Sequence, residues 1–275
     1  MKIDGREISR HILKNLKERV EKLKEKGITP HLYIVTFGKN SQTESYLKQK
    51  LLRASQIGAE ITIKRFSENV SAKKVKDFIE RLNKDKRVHG IIIQRPLIKT
   101  LSEEEISQKV ALDKDVDGFC SHSKFSVPVA LAVLKMIESI IEDQNILDFL
   151  KSKKITIVGK GITAGKPIIK MFQKLDVKVK IVDSKTSEKR KIFKSSDIIV
   201  SAVGKNVIKK EDIKKGVILI GVGMHAEKID KLQGDYNEKE IQTKASYYTP
   251  MPGGVGPVNV SYLMKNLVEA SEKQL

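Results

Sequence analysis

The sequence has little of what marks secreted, membrane-spanning or base-stacking proteins. Its single cysteine, Cys120, excludes an intrachain disulfide. No apolar run approaches the length of a transmembrane helix, and Met1–Arg6 has no apolar signal core. Tryptophan is absent and aromatic residues make up only 5% of the chain. We therefore expect a cytoplasmic protein without membrane contact.

The net charge of +19 is large, but it is spread over the chain. Lysines occur on every predicted helix, with no single basic stripe and no interleaved aromatic residues. We consider three explanations of the charge, in order of preference. The first is solvated helix faces, the second is a field that favours small polyanionic ligands, and the third is nucleic-acid binding. We predict no nucleic-acid partner, and no residues are assigned to a metal.

Hydrophobic periodicity predicts two α/β units. Helices in the first unit are expected over 6–26, 41–57 and 71–85, the last capped by Ser71, with strands over 31–37, 60–66 and 90–94. A long helical stretch, possibly broken, covers 127–150. Strands over 155–158, 177–182, 198–201 and 217–221, with a helix over 167–175, form the second unit. Such alternation predicts mainly parallel sheets with helices on both faces.

Three of the seven prolines and three of the seventeen glycines lie within Pro250–Pro257. Proline fixes the backbone and glycine allows close approach, so this loop is shaped and stiff. A domain linker and a ligand-facing wall are both open interpretations. The segment carries no charge, and a helical stretch over 258–275 follows it.

A glycine-rich loop, Gly159–Pro167, follows the first strand of the second unit. Its G-x-G-x-x-x-G spacing, between a strand and a helix, predicts a dinucleotide phosphate site, although a tight turn without a ligand gives the same pattern. Asp183 ends the next strand, where an acid would bind the ribose 2′-hydroxyl of NAD. Lys160, Ser184 and Lys185 would instead hold a 2′-phosphate.

The first unit contains a second group of candidates. Tyr46 and Lys50 lie four apart on one helix face, and Gln94 ends an apolar strand at the edge where open α/β sheets bind ligands. Asp117 lies in Lys114–Phe119, where it either belongs to a solvated turn or faces a pocket and binds a nitrogen-rich ring.

Together these segments resemble the bifunctional methylenetetrahydrofolate dehydrogenase/methenyltetrahydrofolate cyclohydrolase family. The matching pieces occur in the family's order and span nearly the whole chain. They are Tyr46-x-x-x-Lys50, Gln94-x-Pro96-Leu97, Lys114–Phe119, Gly159–Pro167, Ala202–Lys205 and Pro250–Pro257.

The resemblance implies two doubly wound α/β domains with the substrate cleft between them. A folate-binding catalytic domain would comprise 1–120, completed by the helix 255–275, and a Rossmann-type NADP-binding domain would comprise 121–254. The family is typically a homodimer. Its folate-binding positions fall on Tyr46, Gln94, Leu97, Asp117, Pro252 and Gly256.

The resemblance also implies the cofactor contacts. They fall on Gly159, Lys160, Gly161, Ile162, Thr163, Gly165, Ser184, Val203, Gly204 and Met224. Gly161, Thr163-Ala164 and Gly221 depart from the residues usual in the family. Because Lys160 and Ser184 match the positions that contact the 2′-phosphate, NADP is favoured over NAD.

The implied activity is oxidation of 5,10-methylenetetrahydrofolate with NADP, followed by hydrolysis to 10-formyltetrahydrofolate, in one-carbon metabolism. Lys50 would exchange protons, Tyr46 would orient the folate and Lys50, Gln94 would hold Lys50, and Asp117 would anchor the pterin. The alternatives are an NAD-dependent or single-activity member, a generic nicotinamide dehydrogenase, and a non-enzymatic protein that binds nucleic acid.

Overall fold

The computed structural model describes residues 1–223, 225–228 and 231–274, and within them the chain packs as two compact units. The first unit comprises Arg10–Pro128 and Val260–Leu275, and the second comprises Met1–Ser9 and Val129–Asn259. The predicted domain limits at 120 and 254 stay predictions.

The first unit is built on a small parallel sheet. Its elements, together with the start of the first helix, are α1 (Gly5–Glu25), β1 (His31–Phe37), α2 (Ser41–Ile57), β2 (Glu60–Phe66), α3 (Ala72–Lys84), β3 (Gly90–Ile93) and α4 (Glu103–Ser107). The strand order is β2-β1-β3, with Leu32 opposite both Ile61 and Gly90. The expected doubly wound pattern with a parallel sheet is confirmed here.

Hydrophobic periodicity placed α1, α2 and α3 well because each buries one face, whereas the five-residue α4 was not predicted. In α3, Val75, Ile79 and Leu82 are buried at the expected spacing, and the Ser71 side chain accepts a hydrogen bond from the Lys74 amide. The strand predicted over 90–94 ends at Ile93. The Gln94 amide still bonds the Val35 carbonyl, and the Gln94 side chain accepts a hydrogen bond from Lys50.

The second unit has a larger parallel sheet. Its elements, with the last helix continuing into the first unit, are α5 (Pro128–Glu138), α6 (Ile146–Lys151), β4 (Ile155–Val158), α7 (Gly165–Lys174), β5 (Val179–Val182), α8 (Lys189–Ser195), β6 (Ile198–Ser201), β7 (Ile218–Gly221), β8 (His225–Lys228), β9 (Lys231–Gln233), α9 (Glu238–Ile241), β10 (Tyr247–Tyr248) and α10 (Val255–Lys273). The five-stranded order β10-β7-β6-β4-β5 is that of a doubly wound sheet.

Short elements account for what periodicity missed in the second unit. The stretch 127–150 is broken into α5 and α6, and Asn145 caps α6 by accepting from the Leu147 and Asp148 amides. Strand β10 has two residues, and β8 and β9 form a separate antiparallel pair. None of these is long enough to show a period.

Among the described helices, none combines the length and apolar character needed to cross a bilayer.

Candidate active site and dinucleotide-binding loop

The first site forms where α2 meets the end of β3. Lys50 and Tyr46 both lie on α2 and are half-buried, whereas Lys48 on the other side of the helix is exposed. The Lys50 Nζ donates to Gln94 Oε1 at 2.8 Å, and Gln94 Nε2 donates to the Arg95 carbonyl at 3.0 Å. The amide of Gln94 is thereby oriented with its oxygen toward the ammonium group.

The segment after β3 brings Asp117 to the same place by anchoring its neighbours. Lys114 is buried and its Nζ donates to the Leu82 and Asp85 carbonyls at the end of α3. The Asp115 carboxylate accepts the Gly118, Phe119 and Cys120 amides, which closes the turn. Of the two acids in this segment, Asp115 is therefore the turn residue.

Val116 and Gly118 complete the placement of Asp117. The Val116 side chain is fully buried, and its carbonyl accepts from Asn266 Nδ2 at 2.8 Å. Gly118 has φ +74°, and a Cβ there would lie 2.8 Å from the Phe125 carbonyl oxygen. The main chain on both sides of Asp117 is thus fixed, and its own side chain stays half-buried beside Lys50 and Arg95.

Electrostatics at this site couple three groups. Exclusion of water lowers the pKa of the Lys50 ammonium; the Asp117 carboxylate opposes that effect and the Arg95 guanidinium adds to it. Burial raises the pKa of Asp117, opposed by the same two cations. Burial also raises the pKa of Tyr46, which keeps its hydroxyl protonated. The lysine is therefore poised to exchange a proton more readily than a solvated one.

Sequence reasoning did not single out Arg95. Its guanidinium lies 3.9 Å from the centroid of the Phe119 ring and 3.5 Å from Glu103 Oε2. An arginine between a ligand-facing amide and a proline, at the carboxyl end of a strand, was the available signal. Leu97, two residues on, is half-exposed and packs against the core cluster of β1 and α3.

The second site is the loop after β4. Gly159 has φ +92°, and a Cβ there would lie 3.0 Å from the Ala202 carbonyl oxygen and 3.1 Å from Val203 Cγ2. A Cβ on Gly165 would overlap the Gly159 carbonyl, whereas a Cβ on Gly161 would meet nothing within 4 Å. The loop is thus closely packed on its inner side and open on its outer side.

The open side presents hydrogen-bond donors and apolar groups. Helix α7 begins at Gly165, two residues before the predicted start, and no side chain caps its first amides. Ile162 and Val203 are 50% and 38% exposed, and Thr163 is also exposed. The positive N-terminal end of α7 suits a phosphate, and exposed apolar side chains suit a planar ring, so these residues fit a dinucleotide.

The end of β5 holds a charge pair. Lys160 Nζ lies 2.6 Å from Asp183 Oδ2, and Asp183 Oδ1 accepts from the Lys185 amide and the Thr186 hydroxyl. Lys160 holds the pKa of Asp183 down at about 2. Ser184 is exposed beside this pair. Asp183, which would favour NAD, and Lys160, which would favour NADP, therefore contact each other.

The segment Pro250–Pro257 follows β10, and its last three residues form the start of α10, which begins three residues before the predicted helix over 258–275. A Cβ on Gly254 would lie 2.6 Å from the Pro250 carbonyl oxygen, and Gly253 has φ +108°. Pro252 and Gly256 are exposed, as a ligand wall requires. The predicted cofactor residue Met224 lies outside the described residues.

These features define a two-unit α/β protein with a buried lysine–amide site in one unit and a dinucleotide-type loop in the other. The catalytic domain of tetrahydrofolate dehydrogenase/cyclohydrolase matches residues 3–117, and the NAD(P)-binding domain of the same family matches residues 128–275. The chain therefore belongs to the tetrahydrofolate dehydrogenase/cyclohydrolase family.

Individual relatives match over full length. A bifunctional protein FolD from Ligilactobacillus salivarius is 35% identical, covering 99% of this chain and 97% of the relative. The crystal structure of the bifunctional enzyme FolD from Campylobacter jejuni superposes with a TM-score of 0.93 at 30% identity, covering 100% and 99%. The Trypanosoma brucei enzyme, solved with NADP and an inhibitor, gives 0.90 at 29% identity, covering 99% and 97%.

Proposed function

We propose that this protein oxidises 5,10-methylenetetrahydrofolate to 5,10-methenyltetrahydrofolate with NADP and hydrolyses the product to 10-formyltetrahydrofolate. Both reactions are those of its family, and both family domains are matched. The observation that carries the proposal is the half-buried Lys50, hydrogen-bonded to Gln94 and flanked by the Asp117 and Arg95 charges.

The hydrolytic step needs a proton acceptor. Water adds to the one-carbon bridge, one of the two C–N bonds breaks, and one proton is released overall. Lys50 takes a proton from the attacking water and returns one to the departing nitrogen, which requires a neutral amine at working pH. Burial lowers the pKa of Lys50 and so favours that amine, and Gln94 holds it in place.

Folate binding is assigned to the side chains around Lys50. The Asp117 carboxylate accepts hydrogen bonds from the paired donors of the pterin ring, and Tyr46 orients the ring beside Lys50. Leu97 supplies apolar wall, and Pro252 and Gly256 are proposed as further folate contacts. Half-burial of Tyr46, Asp117 and Leu97 supports these assignments, because each retains surface for a ligand.

The oxidative step depends on placement. When bound, NADP supplies the hydride acceptor. The chain's part is to hold it through close approach of the main chain at Gly159, Gly161 and Gly165 and through the apolar faces of Ile162 and Val203. Gly204, Thr163 and Met224 complete the proposed contacts. The domain assignment proposed with this is 1–120 plus 255–275 for folate chemistry and 121–254 for the dinucleotide.

Lys160 and Ser184 are proposed to bind the 2′-phosphate of NADP. Their exposure supports this, since a phosphate can reach both. NAD is the second candidate, and the observation that favours it is the Asp183 carboxylate held 2.6 Å from Lys160. A cytoplasmic homodimer is part of the same proposal and rests on the family resemblance.

Side-by-side assays test this function. The purified protein is supplied with methylenetetrahydrofolate and either NADP or NAD, and separately with methenyltetrahydrofolate alone. We expect dinucleotide reduction, faster with NADP, and hydrolysis in the separate assay. Absence of dinucleotide reduction with both cofactors would contradict the dehydrogenase, and absence of hydrolysis would contradict the cyclohydrolase.

A further inference from the structure

One buried carboxylate in the second unit has no role in the chemistry above. Asp235 has no exposed surface, and it accepts hydrogen bonds from three main-chain amides. Its Oδ1 accepts from Gly204 at 2.7 Å and from Lys205 at 3.2 Å, and its Oδ2 accepts from Gly223 at 2.9 Å. The carboxylate therefore joins two separate stretches of chain.

The stretches it joins follow neighbouring strands. Gly204 and Lys205 lie in the loop after β6, and Gly223 lies two residues after β7. Because β6 and β7 are parallel neighbours, both loops lie at the carboxyl edge of the sheet, where doubly wound folds bind dinucleotides. Asp235 thus braces the same edge that carries the Gly159 loop.

The backbone of Asp235 is itself held firmly. Its carbonyl oxygen accepts from the Val207 and Ile208 amides at 3.0 and 3.2 Å. The next residue, Tyr236, is buried, and its hydroxyl bonds the Leu219 carbonyl and Thr249 in the core. A carboxylate anchored on both sides can fix the loops rather than follow them.

Glycine at position 223 makes the close approach possible. A Cβ there would lie 2.6 Å from Asp235 Oδ1 and would overlap the Gly204 amide nitrogen. The loop after β6 is also tied to the nucleotide loop, since Gly159 packs against Ala202 and Val203. The three loops therefore form one connected edge.

We propose that Asp235 is a positioning residue for dinucleotide binding, which holds the β6 and β7 loops in the conformation that receives the cofactor. This inference rests on the proposed function. It assigns Asp235 no contact with the cofactor or the folate. Its effect passes through Val203 and Gly204, whose exposure and main-chain direction it sets.

The test is Asp235→Asn, which keeps the shape and removes one acceptor. An amide has one oxygen, so its NH₂ group must face at least one of the three main-chain amides, leaving that amide unpaired. We expect roughly tenfold weaker binding of NADPH in a fluorescence titration. Hydrolysis of methenyltetrahydrofolate, which needs no hydride acceptor, should stay within about twofold of wild type.

Asp197→Asn is the matched control. Asp197 is a carboxylate in the same unit that accepts the Lys154 amide and pairs with Lys214, but it precedes β6 and so lies at the opposite edge of the sheet. Its loss should lower the melting temperature without changing NADPH affinity. Hydrogen exchange supplies a second measurement, because the Gly204, Lys205 and Gly223 amides should lose protection selectively in Asp235→Asn.

The outcomes separate cleanly. Unchanged NADPH affinity in Asp235→Asn would overturn the proposal, as would equal loss of both activities or failure to fold, which would make Asp235 a general structural residue. A wild-type protein that binds no NADPH would instead refute the proposed function. NADPH binding by the wild-type protein is therefore measured before that of the variants.

Discussion

The Lys50 site is built mainly from charged side chains, whereas the carboxyl edge of the second sheet, around Gly159, is built mainly from main-chain groups. At the first, Lys50, Asp117 and Arg95 shift one another's protonation equilibria. At the second, glycines allow the close main-chain contacts, and Asp235 accepts hydrogen bonds from the main-chain amides of the neighbouring loops. A proton-transfer step needs tuned groups and a cofactor needs a fixed surface, so mutations in the two regions should fail in different ways.

The sharpest test of this contrast is Lys50→Ala. Removing the amine should lower the rate of methenyltetrahydrofolate hydrolysis by roughly a hundredfold or more, because the group proposed to exchange the proton is lost. Affinity for NADPH should be unchanged, because the mutation leaves the second unit intact. Lys48→Ala, on the exposed side of the same helix, is the control and should hydrolyse normally. Unimpaired hydrolysis in Lys50→Ala would refute the assignment.

Asp117→Ala should mainly weaken folate binding. Loss of the acceptor for the pterin donors should raise the folate dissociation constant by roughly tenfold. The measurement is a titration with a non-reactive folate in the absence of dinucleotide. An unchanged dissociation constant would show that Asp117 acts on Lys50 alone.

The pH dependence of hydrolysis should move in opposite directions in two variants. The reactive amine is the neutral form, so the rate rises with pH through the lowered pKa of Lys50. Asp117 raises the pKa of Lys50, so Asp117→Asn should shift this rising limb to lower pH. Arg95 lowers the pKa of Lys50, so Arg95→Gln should shift the same limb to higher pH.

Rate–pH profiles of wild type and both variants, at saturating substrate, check this pair. Shifts in the same direction, or none, would show that a group other than Lys50 controls the limb.

The smallest expected effect concerns Asp183. Asp183→Asn removes a negative charge beside the proposed 2′-phosphate site and releases Lys160, so NADP should bind about two- to fivefold more tightly. NAD should bind no better. Calorimetric titration with each dinucleotide checks this, and Asp176→Asn, at another exposed lysine–carboxylate contact in the same unit, is the control. Weaker NADP binding in Asp183→Asn would place the phosphate elsewhere.

Long periodic segments made most of the fold predictable from sequence. Strand β1 and helix α2 match the predicted limits because each buries residues at regular spacing over much of its length. Strand β2 matches as well, although only Phe66 in it is buried outright. The Tyr46–Lys50 spacing likewise predicted a shared helix face. Local patterns carry this information directly.

Long-range partners could not be predicted in the same way. Asp235 bonds amides some 12 to 31 residues away, and no local pattern marks it as their acceptor. Arg95 acts on Lys50 across the sheet edge, which only the folded chain brings close. The charge pair of Lys160 with Asp183 was not predicted either, although each residue was singled out.

Helix α10 has a consequence for the order in which this protein matures. Asn266 donates to the carbonyls of Val116 and Ser126, and Gln274 donates to those of His89 and Asp113. These side chains hold the segment that carries Asp117, yet Asn266 follows Val116 by 150 residues in the chain. We expect the nascent chain to form its first sheet early, while Asp117 is fixed in place only once α10 has been synthesised.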